Sequence, residues 1–413
     1  MRVFHLRDVT LREDASRLRK NPGIFAQNRR FAYNIPRLPS FMASASNTIA
    51  SAVTTTNSVF LTQSTALVGV PAGAQPDQTG GGVWARAVGG EVDLKSASTL
   101  GVTTTASGLG FVPLLSGPVA CNDQVHSSFG GIQVGADVGN LNVNDWNVHY
   151  GVTAGSIGSR NNLVGGLAGS GAAFDSWTQV PFFGLYAALT NGSGFYADFL
   201  LRGDFYQANL NSQTLSLFNQ NLNARGISVS GSTGYNYHIP NSDWFVEPSA
   251  GLIYSNVSVD PMSTSGPASL GGNVAGTLQI NNIENTIGRL GLRAGTAFTI
   301  DNKLVLQPFA AVSVWHDFVG GNSSQYNTCP GCAFIGPNPA LVSINYSGQN
   351  FGTYGQYSAG ISGQLVDTGW LGFARFDYRN GDRLAGWDLT GGLRYQFTPQ
   401  AGDNRQVRCK GAA

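Results

Sequence analysis

The sequence predicts an all-β fold: a 12-stranded antiparallel transmembrane β-barrel with an N-terminal plug and linker helix in its pore. Three observations carry this expectation. From Gly82 onward the 413-residue chain reads strand, turn, strand, and each strand alternates between an apolar track and a polar one. The connections between strands alternate between short and long. The seven tryptophans fall near strand ends rather than in strand centres. Composition agrees: charged residues make up 11% of the chain, under half of the roughly 25% usual in soluble proteins. Glycine is abundant, and no apolar run reaches the ~18 residues of a membrane-spanning helix.

Residues 1–40 hold nine Arg and Lys against three acids, a net of +6, while the rest of the chain nets −5. This segment reads as a basic, disordered arm. It has no apolar stretch of the kind a secretory signal peptide needs. The main body carries no basic patch of the nucleic-acid-binding type, so no nucleic-acid partner is expected.

Residues 41–81 are expected to form a linker. Its first part, from Phe41 to Gly69, is rich in Ala, Ser and Thr, carries no charge and lacks helix breakers before Gly69. The spacing predicts a helix from about Met42 to Val68, roughly 40 Å long at 1.5 Å per residue. With small side chains it would be thin enough for the lumen of a 12-stranded barrel, which lies between filled 8-stranded barrels and open 16-stranded porins. Residues 70–81 then form a Gly/Pro hinge.

Twelve strands are expected at 82–94, 126–139, 144–160, 174–190, 193–208, 222–239, 243–257, 283–300, 303–318, 350–365, 369–382 and 386–397. The short connections, such as Asn191–Gly192, Pro240–Ser242 and Asp301–Asn302, use the residues that tight hairpins require. The long ones are 95–125, 161–173, 209–221, 258–282 and 319–349. Short turns at one end and long loops at the other are the pattern of outer-membrane barrels.

Within the strands, the charged track is assigned to a wet lumen: Arg86, Asp198, Arg202, Asp204, Glu247, Arg289, Arg293, Arg375, Asp377, Arg379, Asp388 and Arg394. Arginine facing lipid at the midplane would cost roughly 2–4 kcal/mol, whereas inside the barrel it can pair with an acid. Trp84, Trp146, Trp244 and Trp370 at the short-turn end, and Trp177, Trp315 and Trp387 at the long-loop end, are assigned to two aromatic girdles. Trp315, however, shares its parity with Gln307 and Asp317, which would turn it inward. The final strand, Leu384 to Phe397, should pair with the first so that no edge stays open. Residues 398–413 are expected to form a polar tail outside the sheet.

Cys329 and Cys332, in the Gly/Pro/Asn-rich loop Cys-Pro-Gly-Cys, read as a loop disulfide, because zinc would need a second ligand pair and a redox site an adjacent strand–helix unit.

Val83–Gly90 (VWARAVGG), Trp244–Tyr254 (WFVEPSAGLIY), Leu304–Trp315 (LVLQPFAAVSVW) and Gly391–Phe397 (GGLRYQF), in that order and preceded by a helix, resemble the translocator β-domain of the autotransporters, the type V secretion family. The resemblance covers about residues 45–397. It implies an outer-membrane protein of a Gram-negative bacterium, surrounded by lipid, that exports an N-terminal passenger while the helix occupies the pore. It also implies that the aromatic closing strand, with Tyr395 and Phe397, is read by the barrel-assembly machinery. Two departures stand out. The residues before the helix are too few for a β-helical passenger, and a signal peptide is missing, so the chain reads as a fragment, a mis-assigned start or a barrel without cargo.

Some family members cleave their passenger at an Asn in the helix, for which Asn47 and Asn57 are the candidates here. No nucleophile elbow, P-loop, dinucleotide fingerprint or metalloprotease motif occurs, and the five histidines are scattered. The sequence therefore predicts a non-enzymatic protein without cofactor or metal. Two other readings compete: a channel or adhesin barrel acting through its long loops, and a soluble β-sandwich binding module.

Overall fold

The computed structural model describes residues 38–60, 76–106, 119–166, 173–212, 217–264, 276–301, 303–319, 321–328, 333–335, 338–349, 351–366 and 368–397. One helix, α1 (Leu38–Phe60), stands inside a closed ring of twelve antiparallel strands. The ring is β1 (Gln78–Ala106), β2 (Val119–Val143), β3 (Trp146–Gly166), β4 (Ala173–Asn191), β5 (Phe195–Ser212), β6 (Leu217–Tyr235), β7 (Trp244–Val259), β8 (Ile283–Thr296), β9 (Leu304–Val319), β10 (Thr353–Leu365), β11 (Trp370–Gly381) and β12 (Leu384–Phe397). Each pairs with its sequence neighbour, and β12 closes on β1 from Gly81↔Phe397 to Leu94↔Leu384. Closure leaves no row of unpaired backbone groups facing lipid, which is what a sheet crossing a bilayer requires.

All twelve expected strands are present, with two corrections. The first turn lies at Asn144–Asp145 rather than Asn140–Val143. Both residues have positive φ (51° and 67°), so this is a two-residue hairpin of the primed type. Asn142, also at positive φ, absorbs a register shift just before it.

The second correction concerns the long connections 95–125 and 319–349, which are largely strand. β1 runs on for 29 residues and stays paired with β2 as far as Leu100↔Val119. Beyond Leu94, where β12 ends, the segment Asn338–Gln349 takes over the free edge of β1 from Ser98↔Gly348 to Ala106↔Ala340. It pairs in turn with Gly321–Thr328, which pairs with Gly276–Ile280. These three segments build a collar above the short strands β10–β12. Ser, Thr and Asn make these segments look like loops in sequence. A fixed neighbour on each side, and the β-propensity of Thr and Tyr, make them strands. Cys329 and Cys332, residues 1–37, 61–75 and 398–413 lie outside the described residues.

α1 begins at Leu38 rather than at about Met42, since Pro39 is tolerated in a first turn whose N–H groups have no helical partner. Its expected continuation from 61 to 68 is outside the described residues. At 23 residues it is about 35 Å long.

Alternation orients the wall. Leu290, 68% exposed and midway along β8, is one of a belt of outward Val, Leu, Ile and Phe side chains. We expect Leu290→Arg to cost about 2–4 kcal/mol of barrel stability in lipid, read as a lower midpoint of heat- or urea-induced unfolding in vesicles. An unchanged midpoint would mean that this face does not meet lipid.

Candidate functional site

The interior of the ring is the candidate site, and α1 is its main occupant. Met42 to Val59 are all buried, at 0–9% exposure. A Ser/Thr-rich helix can be buried only if its hydroxyls are satisfied. Some bond back to the helix: Ser51 Oγ to Thr48 O (2.9 Å), Thr56 Oγ1 to Ala52 O (2.6 Å) and Ser58 Oγ to Thr55 O (3.1 Å). Others reach the wall: Ser46 to Ser324 (3.0 Å), Thr48 to Ser176 (3.1 Å) and Asn57 Nδ2 to Ser255 Oγ (2.9 Å). Met42, Ala45, Ile49 and Val53 join the apolar cluster that lines the wall.

These contacts set the direction of the helix. Its N-terminal half lies in the collar, where Asn47 Oδ1 accepts from Tyr346 OH (3.0 Å) and Asn322 Nδ2 (3.3 Å). Its C-terminal half is deeper, where Arg202 donates to Thr56 O (3.5 Å) and Asn57 Oδ1 (3.2 Å), and Arg379 to Ser58 Oγ (3.2 Å). Guanidinium groups at a helix C-terminus also complement its dipole. β1 opens at the opposite, short-turn end, where Gln78 pairs with Leu141.

All twelve charged residues assigned to the lumen point into the ring, Arg289 and Arg375 half-buried and the others buried. Buried charge must be paired, and the structure brings most of these residues into pairs or clusters. Glu247 takes Arg293 (2.7 Å), Tyr196 OH (2.9 Å) and Asn236 (3.3 Å). Arg293 also lies over the Phe245 and Phe309 rings. Asp204 takes Arg202 (2.6 Å) and Ser228 (2.7 Å). Asp377 takes Arg375 (2.6 Å), while Asp388 takes Arg379 (2.7 Å). Arg86 donates to Gln133 (2.6 Å), Ser232 donates to Asp198 (2.6 Å), and Arg289 donates to Ser313 (3.3 Å).

The residue that organises the closing seam is one the sequence reading overlooked. Asp137, on β2, accepts both Arg394 nitrogens (2.5 and 2.7 Å), His149 Nδ1 (3.0 Å) and Tyr186 OH (2.7 Å). Arg394 is on β12, so it crosses β1 to reach Asp137. It passes over Gly82, where a Cβ would meet the guanidinium at 3.0 Å. The signal was available: Gln133 and Asp137 alternate with the outward Ile132, Val134 and Val138. The pairing of β12 with β2 residues across β1 was not, because it depends on closure.

The girdle assignments divide. Trp177, Trp244, Trp370 and Trp387 are outward, at 42–55% exposure. Trp146 is half-buried against Phe195, with ring centroids 6.0 Å apart. Trp84 and Trp315 are corrected: they are inward, at 6% and 1%. Trp84 is two residues from Arg86 on one strand, so the two share a face; its Nε1 donates to Tyr186 OH (2.7 Å). Trp315 stacks on Tyr354 (5.9 Å), on the same inward track as Asp317. At the closing strand Tyr395 packs against Trp370 (5.1 Å), and Phe397 is outward. Among the described residues no group of His, Cys, Asp and Glu could hold a metal ion.

Comparison with known proteins gives a consistent result. The family model described as autotransporter beta-domain matches residues 121–365. The BrkA autotransporter of Bordetella pertussis is 26% identical over 217 residues, which is 52% of this chain and 19% of that protein, so the alignment spans about a fifth of the curated relative. Among solved structures, the β-domain of the Bordetella autotransporter BrkA superposes with a TM-score of 0.50 at 21% identity, covering 77% of this chain and all of that one. The transport unit of AIDA-I from Escherichia coli gives 0.56 at 15% identity, covering 85% and 98%.

Proposed function

The chain belongs to the autotransporter β-domain family and is an outer-membrane translocator barrel, and from this premise we propose that it carries an N-terminal passenger segment to the cell surface and holds it there through α1. The observation that carries the proposal is the direction of the helix. Its N-terminal half engages the long-loop collar through Asn47, and its C-terminal turn engages Arg202 and Arg379 deeper in the ring. Whatever precedes Leu38 is thereby directed to the side of the long loops. In outer-membrane barrels that side is the outside.

The polar interior supports the same reading. Arg and acid of both signs, paired along the wall, give a wet lumen without a strong field of one sign. A chain of mixed composition could pass through it without being trapped. The plug itself carries no charge, so it can leave or enter that lumen without stranding an ion. Tyr395 and Phe397, on the last strand, are our candidates for the signal read by the barrel-assembly machinery.

The test is an epitope inserted before Leu38 in the full chain, expressed in Gram-negative cells. The expected result is antibody binding on intact cells and loss of the epitope on protease treatment of whole cells, with the barrel itself resistant. An epitope protected until the outer membrane is broken would overturn the proposal.

A further inference from the structure

We infer that the outward face of the collar is a docking site for neutral sugar, namely the saccharide chain of the glycolipid that surrounds the barrel in the outer leaflet. On this face four strands run side by side, and their register aligns uncharged polar residues. Gln279 lies opposite Gln325, Gln325 opposite Asn345 and Asn345 opposite Gly101. One row away Ser323 lies opposite Ser347 and Ser347 opposite Thr99. Together they line a cavity of about 430 Å³. At Gly101 no atom lies within 4 Å of where a Cβ would stand, so the floor is open.

Small-molecule pockets are mostly apolar with a few polar groups, whereas the outward side chains here are amides and hydroxyls, Ser324 and Tyr346 being turned inward to the plug. Amides and hydroxyls both donate and accept, as sugar hydroxyls do. Much of that capacity is unused: Gln279, Asn345, Thr99 and Ser347 make no side-chain hydrogen bond with the described residues. The flanks are fixed, by Gln325 Nε2 on Ser343 (3.2 Å) and Asn281 Nδ2 on Ser323 (2.8 Å).

Height and charge select the occupant. Thr99 is eight residues along β1 from Glu91, the partner of the girdle residue Trp387, and Gln325 is seven beyond the outward Phe318. At about 3.3 Å per residue the site is roughly 25 Å along the strand from the aromatic boundary, which is about 20 Å in height at the ~40° tilt of such strands. That is beyond the acyl chains and the phosphates, in the layer occupied by sugar. Phosphate would be met by Arg or Lys, and the cavity lining contains neither.

The inference rests on the outer-membrane setting, and the test reads the two separately. The full chain is reconstituted in vesicles containing glycolipid with either a complete or a truncated saccharide. Heat-modifiable gel mobility reports insertion of the barrel in both. Hydrogen–deuterium exchange is then followed in peptides covering 276–281, 321–327 and 343–349. The expected result is several-fold slower exchange with the complete saccharide, and loss of that difference in the outward triple variant Gln279→Ala/Gln325→Ala/Asn345→Ala, which keeps its mobility. Equal exchange in the two bilayers would overturn the inference, as would protection that survives in the triple variant. Protection by detached polysaccharide alone would overturn the assignment to the surrounding glycolipid.

Discussion

Deletion of residues 38–60 from the full chain is expected to raise single-channel conductance by about an order of magnitude, because in a 12-stranded ring little but the helix separates the two sides. Met42 to Val59 are buried along their length, and with side chains a helix is about 10 Å across. Its removal leaves a continuous wet path lined by Arg202, Arg379 and Ser255, all of which bond to it. These groups are paired with the wall as well, Arg202 with Asp204 and Arg379 with Asp388, so the barrel should stay folded. Planar bilayer recording of the two proteins, each first checked for heat-modifiable mobility, gives the answer. Equal conductance with and without the segment would reject the plug and favour an open channel.

The second large effect is expected at the seam. Arg394→Ala leaves Asp137 at the point where β12 closes on β1, with His149 and Tyr186 as its remaining side-chain partners among the described residues. Breaking one side of a buried pair costs about 3–5 kcal/mol. The variant should unfold at a markedly lower temperature in detergent, with a larger share of chain failing to assemble. Arg394→Leu/Asp137→Leu, which removes both charges, should recover part of the loss, since replacing a buried pair with apolar groups is often neutral or better. If the double variant is as unstable as the single one, the pair is not what secures the seam.

These predictions rest on features of different legibility. The twelve strands and the polarity of their faces were readable because a strand has period two. Leu389 and Leu393 against Asp388 and Arg394 can be arranged in only one way when lipid is on one side. The same rule, which turns Trp315 inward with Asp317, would also have turned Trp84 inward with Arg86. The error came from treating tryptophan as a girdle residue by type rather than by parity. The collar was not readable. Gly321–Thr328 and Asn338–Gln349 carry the Ser, Asn and Gly of a loop. Asn338–Gln349 becomes strand because the upper edge of β1, abandoned by β12 at Leu94, offers it unpaired backbone, and its own far edge then takes Gly321–Thr328.

The helix shows the same division. Absence of breakers and of charge marked it, and small side chains suited it to a narrow lumen. Its direction, and the role of Asn47 as the acceptor for Tyr346 and Asn322, came from contacts between residues 299 and 275 positions apart. By itself, then, the sequence determined the number of strands, the face that each turns to lipid, the helix before them and the family. These are consequences of local period and local composition. The tertiary structure decided which charges meet, how the seam is latched over Gly82, where the loops become wall and which end of the plug lies in the collar. Each of these depends on residues distant in sequence being brought together by closure of the ring, and no local pattern encodes that.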